Sequence, residues 1–228
     1  MTTRQKEFWK GVRDESPILL GVAPFGLIFG TLAINAHIAV PAAQAMSAII
    51  FAGSSQFIAA QMIGAGTSGL VILLVVFVVN LRHALYSASL APHLRALTPG
   101  WKIMLSYLLT DEAYAVTITH YNLKDDPAGK HWYFLGAGLT LWTTWQVSTA
   151  IGIFIGAQLP QEWPLDFVLP LTFIALVVPA LKDRASVVAA ITAALVGVLT
   201  IGFPLKTGLL AAAFFGILSG LLVEGRPK

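Results

Sequence analysis

Residues Tyr107–Tyr114 read Tyr-Leu-Leu-Thr-Asp-Glu-Ala-Tyr, which sets two adjacent carboxylates, Asp111 and Glu112, inside an apolar stretch from Trp101 to Tyr121. A charged side chain at the centre of a bilayer costs about 2.5–3.5 kcal/mol even on the lenient insertion scale. Such a helix inserts only if its acids face protein, a water-filled cavity or a positive partner. The nearest candidate partner is Arg82, in Asn80-Leu81-Arg82-His83 near the end of the preceding apolar span. Acids in one helix and a base in another are the chemistry of an ion pair, or of a carboxyl that loads and unloads a proton. A carboxyl enclosed in apolar surroundings titrates nearer neutrality, and a neighbouring guanidinium opposes that shift. It therefore matters which acid Arg82 meets, and the sequence leaves both open.

The elements that must carry these groups are membrane helices. Of the 228 residues, 57% are hydrophobic and 11% charged, against about 25% charged in an ordinary soluble domain. Mean hydropathy is +0.78. From Ser16 to Leu81 there is no Asp, Glu, Lys or Arg, enough for three crossings of about 20 residues each. The expected fold is all-α, a polytopic transmembrane helical bundle of seven or eight spans with interrupted helices. Residues 1–15 read as a cytoplasmic amphipathic leader, 16–223 as a single transmembrane domain and 224–228 as a polar tail. The charged start and the long apolar sequence after it argue against a cleaved signal peptide.

Span 1 is expected over Ser16–Asn35, with Pro17 in its first turn and Pro24 bending or breaking it. Span 2, Ala42–Ile63, contains Gly53-Ser54-Ser55-Gln56. An interruption there needs its freed backbone groups satisfied by protein or a wet cavity, and half-helix ends are how many transporters build a midplane site. Ordinary interhelical hydrogen bonding by these small polar residues explains them equally well. Span 3, Leu70–Leu90, turns polar at Asn80, Arg82 and His83, and Arg82 either faces inward or snorkels to the interface. In span 4, Tyr107, Asp111 and Tyr114 fall at i, i+4 and i+7 on one face, with Glu112 about 100° away. The other reading is that Thr110-Asp111-Glu112 caps a new helix after a break.

His120–His131 reads as a polar loop with a solvated turn at Lys124–Pro127. Span 5, Trp132–Gln158, carries a Thr140, Thr144, Ser148 stripe. Spans 6 to 8 are expected at Phe167–Leu181, Ser186–Ile201 and Lys206–Val223. Gly26–Gly30, Gly152–Gly156 and Gly216–Gly220 are GxxxG faces, expected to pack closely on other helices. With eight spans and a cytoplasmic N-terminus, ten Lys and Arg residues fall inside and three outside, Arg82 being left in the membrane. That agrees with the positive-inside rule.

Several classes of function lack support. There are no cysteines, which removes thiolate metal sites and disulfides. His37, His83, His93, His120 and His131 show no i, i+4 pairing for a metal, and no P-loop is present. Gly53–Gln56 is not a nucleophile elbow. No cofactor, metal or nucleic-acid partner is expected; the basic balance reads as membrane orientation. Buried carboxylates without an enzyme motif point to secondary transport. A passive channel for small amphiphilic solutes and a scaffolding membrane subunit are the alternatives.

Taken in order, Pro17-x3-Gly21-x2-Pro24-Phe25-Gly26, Ala52-Gly53-Ser54-Ser55-Gln56-Phe57, Asn80-Leu81-Arg82-His83, Thr110-Asp111-Glu112 and Pro179-Ala180-Leu181-Lys182-Asp183-Arg184 resemble the AzlC family. These are the large subunits of bacterial branched-chain amino acid exporters. The resemblance implies a bacterial inner-membrane, multi-pass protein. It also implies a separate small AzlD-like membrane subunit and export of valine, isoleucine, leucine and perhaps methionine. Together with the residues, it suggests Gly53, Ser54, Ser55, Gln56, Asn80 and Thr110 for substrate. Asp111, Glu112, Arg82 and His83 are then the proton-coupling or ion-pairing groups.

Overall fold

The structure, a computed structural model, describes residues 2–123, 129–158, 181, 183–203 and 207–224. Among the described residues there are helices and no strands. They fall in two compact units, Met1–Leu165 and Asp166–Lys228.

The first unit is built on α1 (Thr3–Asn35), which runs as one helix from the polar leader into the apolar sequence. Its start is a capping box: Gln5 N–H donates to Thr2 Oγ1, and Thr2 N–H donates to Gln5 Oε1, two orphan donors satisfied reciprocally. Helix formation therefore begins well before Ser16. Pro17 is an interior residue rather than a first-turn one, and the helix is not broken at Pro24. What holds α1 continuous is α8 (Lys130–Gly156), which packs along it. A Cβ added at Gly26 or Gly30 would overlap Ser148, Thr149 and Ile153; one added at Gly152 or Gly156 would overlap Leu27 and Thr31. Two of the GxxxG faces thus close on each other, backbone against backbone, as small-residue helix contacts in membranes do. The third joins α9 (Arg184–Leu199) to α10 (Thr207–Glu224) in the second unit, where Gly216 and Gly220 sit against Ala193 and Ala189.

Between α1 and α8 in sequence lie three interrupted segments. The first is α2 (Val40–Ile49) and α3 (Gly53–Gly64), parted at Ile50–Ala52 as the sequence suggested. The second is α4 (Gly69–Asn80) and α5 (Arg82–Leu94), divided at Leu81. The third is α6 (Pro99–Tyr107) and α7 (Asp111–Leu123), parted at residues 108–110. The continuous span 4 is therefore replaced by two helices, and Tyr107 does not share a helical face with Asp111 and Tyr114. His120 also departs from expectation: it is a buried residue of α7, not the start of a loop. The expected turn at Lys124–Pro127 and span 6 lie outside the described residues, apart from Leu181.

Among the described residues, two helices are long and apolar enough to cross a membrane, Thr3–Asn35 and Gly69–Leu94, the second comprising α4 and α5. On α4, Leu70, Leu73 and Phe77 are 68%, 69% and 65% exposed. A helix apolar all round and bare on its outer face suits hydrocarbon rather than water.

Candidate functional site

The site lies where the three interrupted segments meet. Each break begins a new helix, and the first turns of α3, α5 and α7 are tied together through Arg82. Its Nη1 lies 2.6 Å from Asp111 Oδ2, and its Nη2 donates to Ser54 Oγ at 2.5 Å. Helix N-termini carry partial positive charge from unpaired N–H groups. Asp111 sits at the N-terminus of its own helix and faces the Arg82 guanidinium, which also reaches the first turn of α3. Arg82 and Asp111 remain partly open, with side chains 31% and 38% exposed. Arg82 Nε and Asp111 Oδ1 are enclosed atoms with no hydrogen-bond partner among the described residues.

The neighbouring polar residues hold this arrangement. Ser55 Oγ donates to Asn80 Oδ1 at 2.7 Å, joining α3 to the end of α4. The Thr110 hydroxyl accepts from Ala113 N–H, so it caps α7, the break-and-cap alternative for this stretch. His83 Nδ1 lies 3.2 Å from the Asn80 carbonyl and its ring meets Tyr86 edge-on; it makes no ion pair with Asp111. Tyr86 stacks on Tyr114 at 4.4 Å, and Tyr114 donates to Ser89 Oγ. Gly53 lies under the Trp145 ring, where a Cβ would be in tight contact. Gln56 is fully buried, with both amide atoms lacking a partner among the described residues.

The break between α2 and α3 frees carbonyls at the α2 end, and side chains from outside the segment meet them. Tyr107 OH donates to Ala48 O, Trp142 Nε1 donates to Tyr107 OH, and Gln146 Nε2 donates to Ser47 O. Protein groups thus supply what a lipid-embedded interruption requires. The Thr140, Thr144, Ser148 stripe of α8 donates instead to carbonyls of its own helix. A cavity of about 270 Å³ between α5, α6 and α8 is lined by Leu90, Leu94, Leu105, Leu109 and Phe134, with Arg95, Lys102, Ser87 and Ser106 also on its wall. It reaches the α6–α7 break two residues from Asp111.

The acids diverge as their spacing on α7 requires. Asp111 meets Arg82, whereas Glu112 lies within electrostatic reach of Glu15 on α1. Glu15 has no exposed surface at all. Sequence reading grouped it with the polar leader. Its signal was the i, i+4, i+8 stripe Glu7, Gly11, Glu15, which continues the α1 face carrying Gly26 and Gly30. Nearer the start of α1, His120 Nε2 bonds Glu7 Oε2 at 3.0 Å, Lys10 Nζ reaches His120 Nδ1 at 3.0 Å, and the His120 ring stacks on Tyr133.

Residues 17–159, most of the first unit, match the family described as AzlC protein. The chain belongs to the AzlC family. Inner membrane protein YgaZ of Escherichia coli is 30% identical over 223 residues, 94% of this chain and 90% of that protein. A membrane protein of Archaeoglobus fulgidus is 31% identical over 222 residues, 93% of this chain and 94% of its own length. The branched-chain amino acid transport protein AzlC of Bacillus subtilis is 26% identical over 185 residues, 76% of this chain and 69% of that protein. No solved structure matches the chain.

Proposed function

We propose that this AzlC-family protein is the large subunit of a secondary exporter for branched-chain amino acids. It is coupled to the proton gradient and works with a small AzlD-like membrane subunit. The supporting observation is the pair of open valences beside the Arg82–Asp111 ion pair, at the junction of three helix N-termini. A zwitterion needs one group for its carboxylate and another for its ammonium. Arg82, Ser54 and the first-turn N–H groups of α3 receive the carboxylate, and Asp111 receives the ammonium. Substrate binding then replaces an internal ion pair with two external ones, so the charge balance of the site is kept. The leucine-lined part of the cavity, beginning at Leu109, takes the branched side chain. The transport name of the Bacillus subtilis relative supports the substrate class.

Residues 16–223 form the transmembrane domain of seven or eight spans in a bacterial inner membrane. The ten-to-three distribution of Lys and Arg supports a cytoplasmic N-terminus. Ser55, Gln56, Asn80 and Thr110 position the substrate groups, and His83 holds the α4–α5 break. No step requires bond chemistry in the substrate, so the protein is not an enzyme.

Inside-out vesicles containing this chain, with and without the small subunit, test the reading. Labelled leucine or valine should accumulate under an imposed pH gradient only when both subunits are present. Equilibration without accumulation would support a passive facilitator instead. Loss of assembly, rather than of transport, in Arg82 and Asp111 variants would support a scaffold.

A further inference from the structure

Glu15 stands apart from every other acid described. It is completely buried in the α1 face that packs on α8, and neither Oε1 nor Oε2 has a hydrogen-bond partner among the described residues. No cation is among the groups that act on it; the charged neighbour is Glu112 of α7. On α8, the Tyr133 phenol lies within reach, but its hydroxyl is already donated to Asp14. The α2 and α3 segments facing α1 contain no titratable residue. Further along α7, His120 is held by Glu7 and Lys10. Arg82, the cation that acts on Glu112, is engaged by Asp111.

A fully enclosed carboxylate whose oxygens accept no hydrogen bond is costly to keep ionised, and a second carboxylate acting on it adds to that cost. Zero exposure means that no water-sized sphere touches Glu15, which leaves no space for a sodium ion with its ligands or for a substrate ammonium. A proton is the cation that fits. We propose that Glu15 of α1 carries a proton, and that this proton is the one exchanged during transport. Its role in coupling rests on the exporter reading above; its presence on Glu15 does not. Arg82–Asp111 then serves the substrate, and Glu112, the next residue on α7, is the charged group that acts on Glu15, so movement of the α7 N-terminus acts on both.

The test is infrared spectroscopy of the purified full chain in lipid at neutral pH, beside vesicle uptake. The wild type should show a protonated carboxylic acid carbonyl band that moves in deuterated buffer and is lost or shifted in Glu15→Gln. Because Gln is a neutral isostere of the protonated acid, Glu15→Gln should unfold at the wild-type temperature. With the small subunit, it should equilibrate leucine but lose accumulation under a pH gradient. Absence of the band, or a band indifferent to Glu15→Gln, would overturn the proton on Glu15. Wild-type accumulation by Glu15→Gln would overturn its place in coupling. A Glu15-dependent band in a wild type that accumulates no amino acid would instead sink the exporter reading and leave the proton site standing.

Discussion

Arg82 and Asp111 belong to different helices, each is the first residue of its helix, and their side chains meet at 2.6 Å. The pair therefore locks two helix starts together, and the second guanidinium nitrogen adds a third through Ser54 of α3. Its exposure places it between surface pairs, worth about 0.2–1 kcal/mol, and buried ones, where removing a partner costs about 3–5 kcal/mol. Arg82→Gln and Asp111→Asn should each lower stability by roughly 1–3 kcal/mol on those bounds and abolish export. The double exchange Arg82→Asp with Asp111→Arg should recover stability more than activity. Thermal unfolding in detergent and vesicle uptake measure the two effects.

The α1–α8 contact allows no side chain at its closest points. Gly30→Leu or Gly152→Leu should prevent α1 and α8 from closing, at a cost above the roughly 1–3 kcal/mol of ordinary overpacking, because the obstacle is backbone. Gly21 has no neighbouring atom in the way of a Cβ, so Gly21→Ala should leave folding intact. The yield of monodisperse protein from membranes distinguishes these outcomes.

Tyr107 supports the first interruption through a single oxygen that donates to Ala48 O and accepts from Trp142. Tyr107→Phe leaves both groups without that partner, for a loss of about 1–3 kcal/mol. Its unfolding temperature should fall. Trp142→Phe, which spares the carbonyl contact, should fall less.

Asp183 caps α9, accepting from the Ser186 N–H and hydroxyl. These hydrogen bonds hold its carboxyl below its ordinary value. A depressed folded value means the contribution is present above the ordinary carboxylate range and is lost as pH falls through the folded value. Asp183→Asn should therefore match the wild type in acid and fall behind it at neutral pH, as read by thermal unfolding across pH.

The helical class, the membrane composition and the partnership of Arg82 with an acid of the next segment were legible in the sequence, because each follows from residue type and local spacing; the break before Gly53 was one of two readings its small polar residues left open. The α1–α8 pairing was half legible. GxxxG marks a close contact but carries no address, so Gly26 and Gly152 were visible without being visible as partners. The reach of α1 was misread at Pro17 because a capping box at Thr2 had already started the helix. Tyr107, Gln146 and Glu15 escaped notice for another reason. Tyrosine and glutamine at a helix surface look alike whether they meet lipid headgroups or a freed carbonyl. A glutamate beside a charged leader looks solvated until a second helix covers it.

Arg82 and Asp111 read the two charges of an amino acid, and ligand protection against thermal unfolding tests this most directly. In the two-subunit protein, leucine should raise the unfolding temperature. Leucinamide, which lacks the carboxylate, and isocaproate, which lacks the ammonium, should not; Arg82→Gln and Asp111→Asn should each lose the leucine response. Equal protection by leucinamide or isocaproate, or an undiminished leucine response in both variants, would contradict the account.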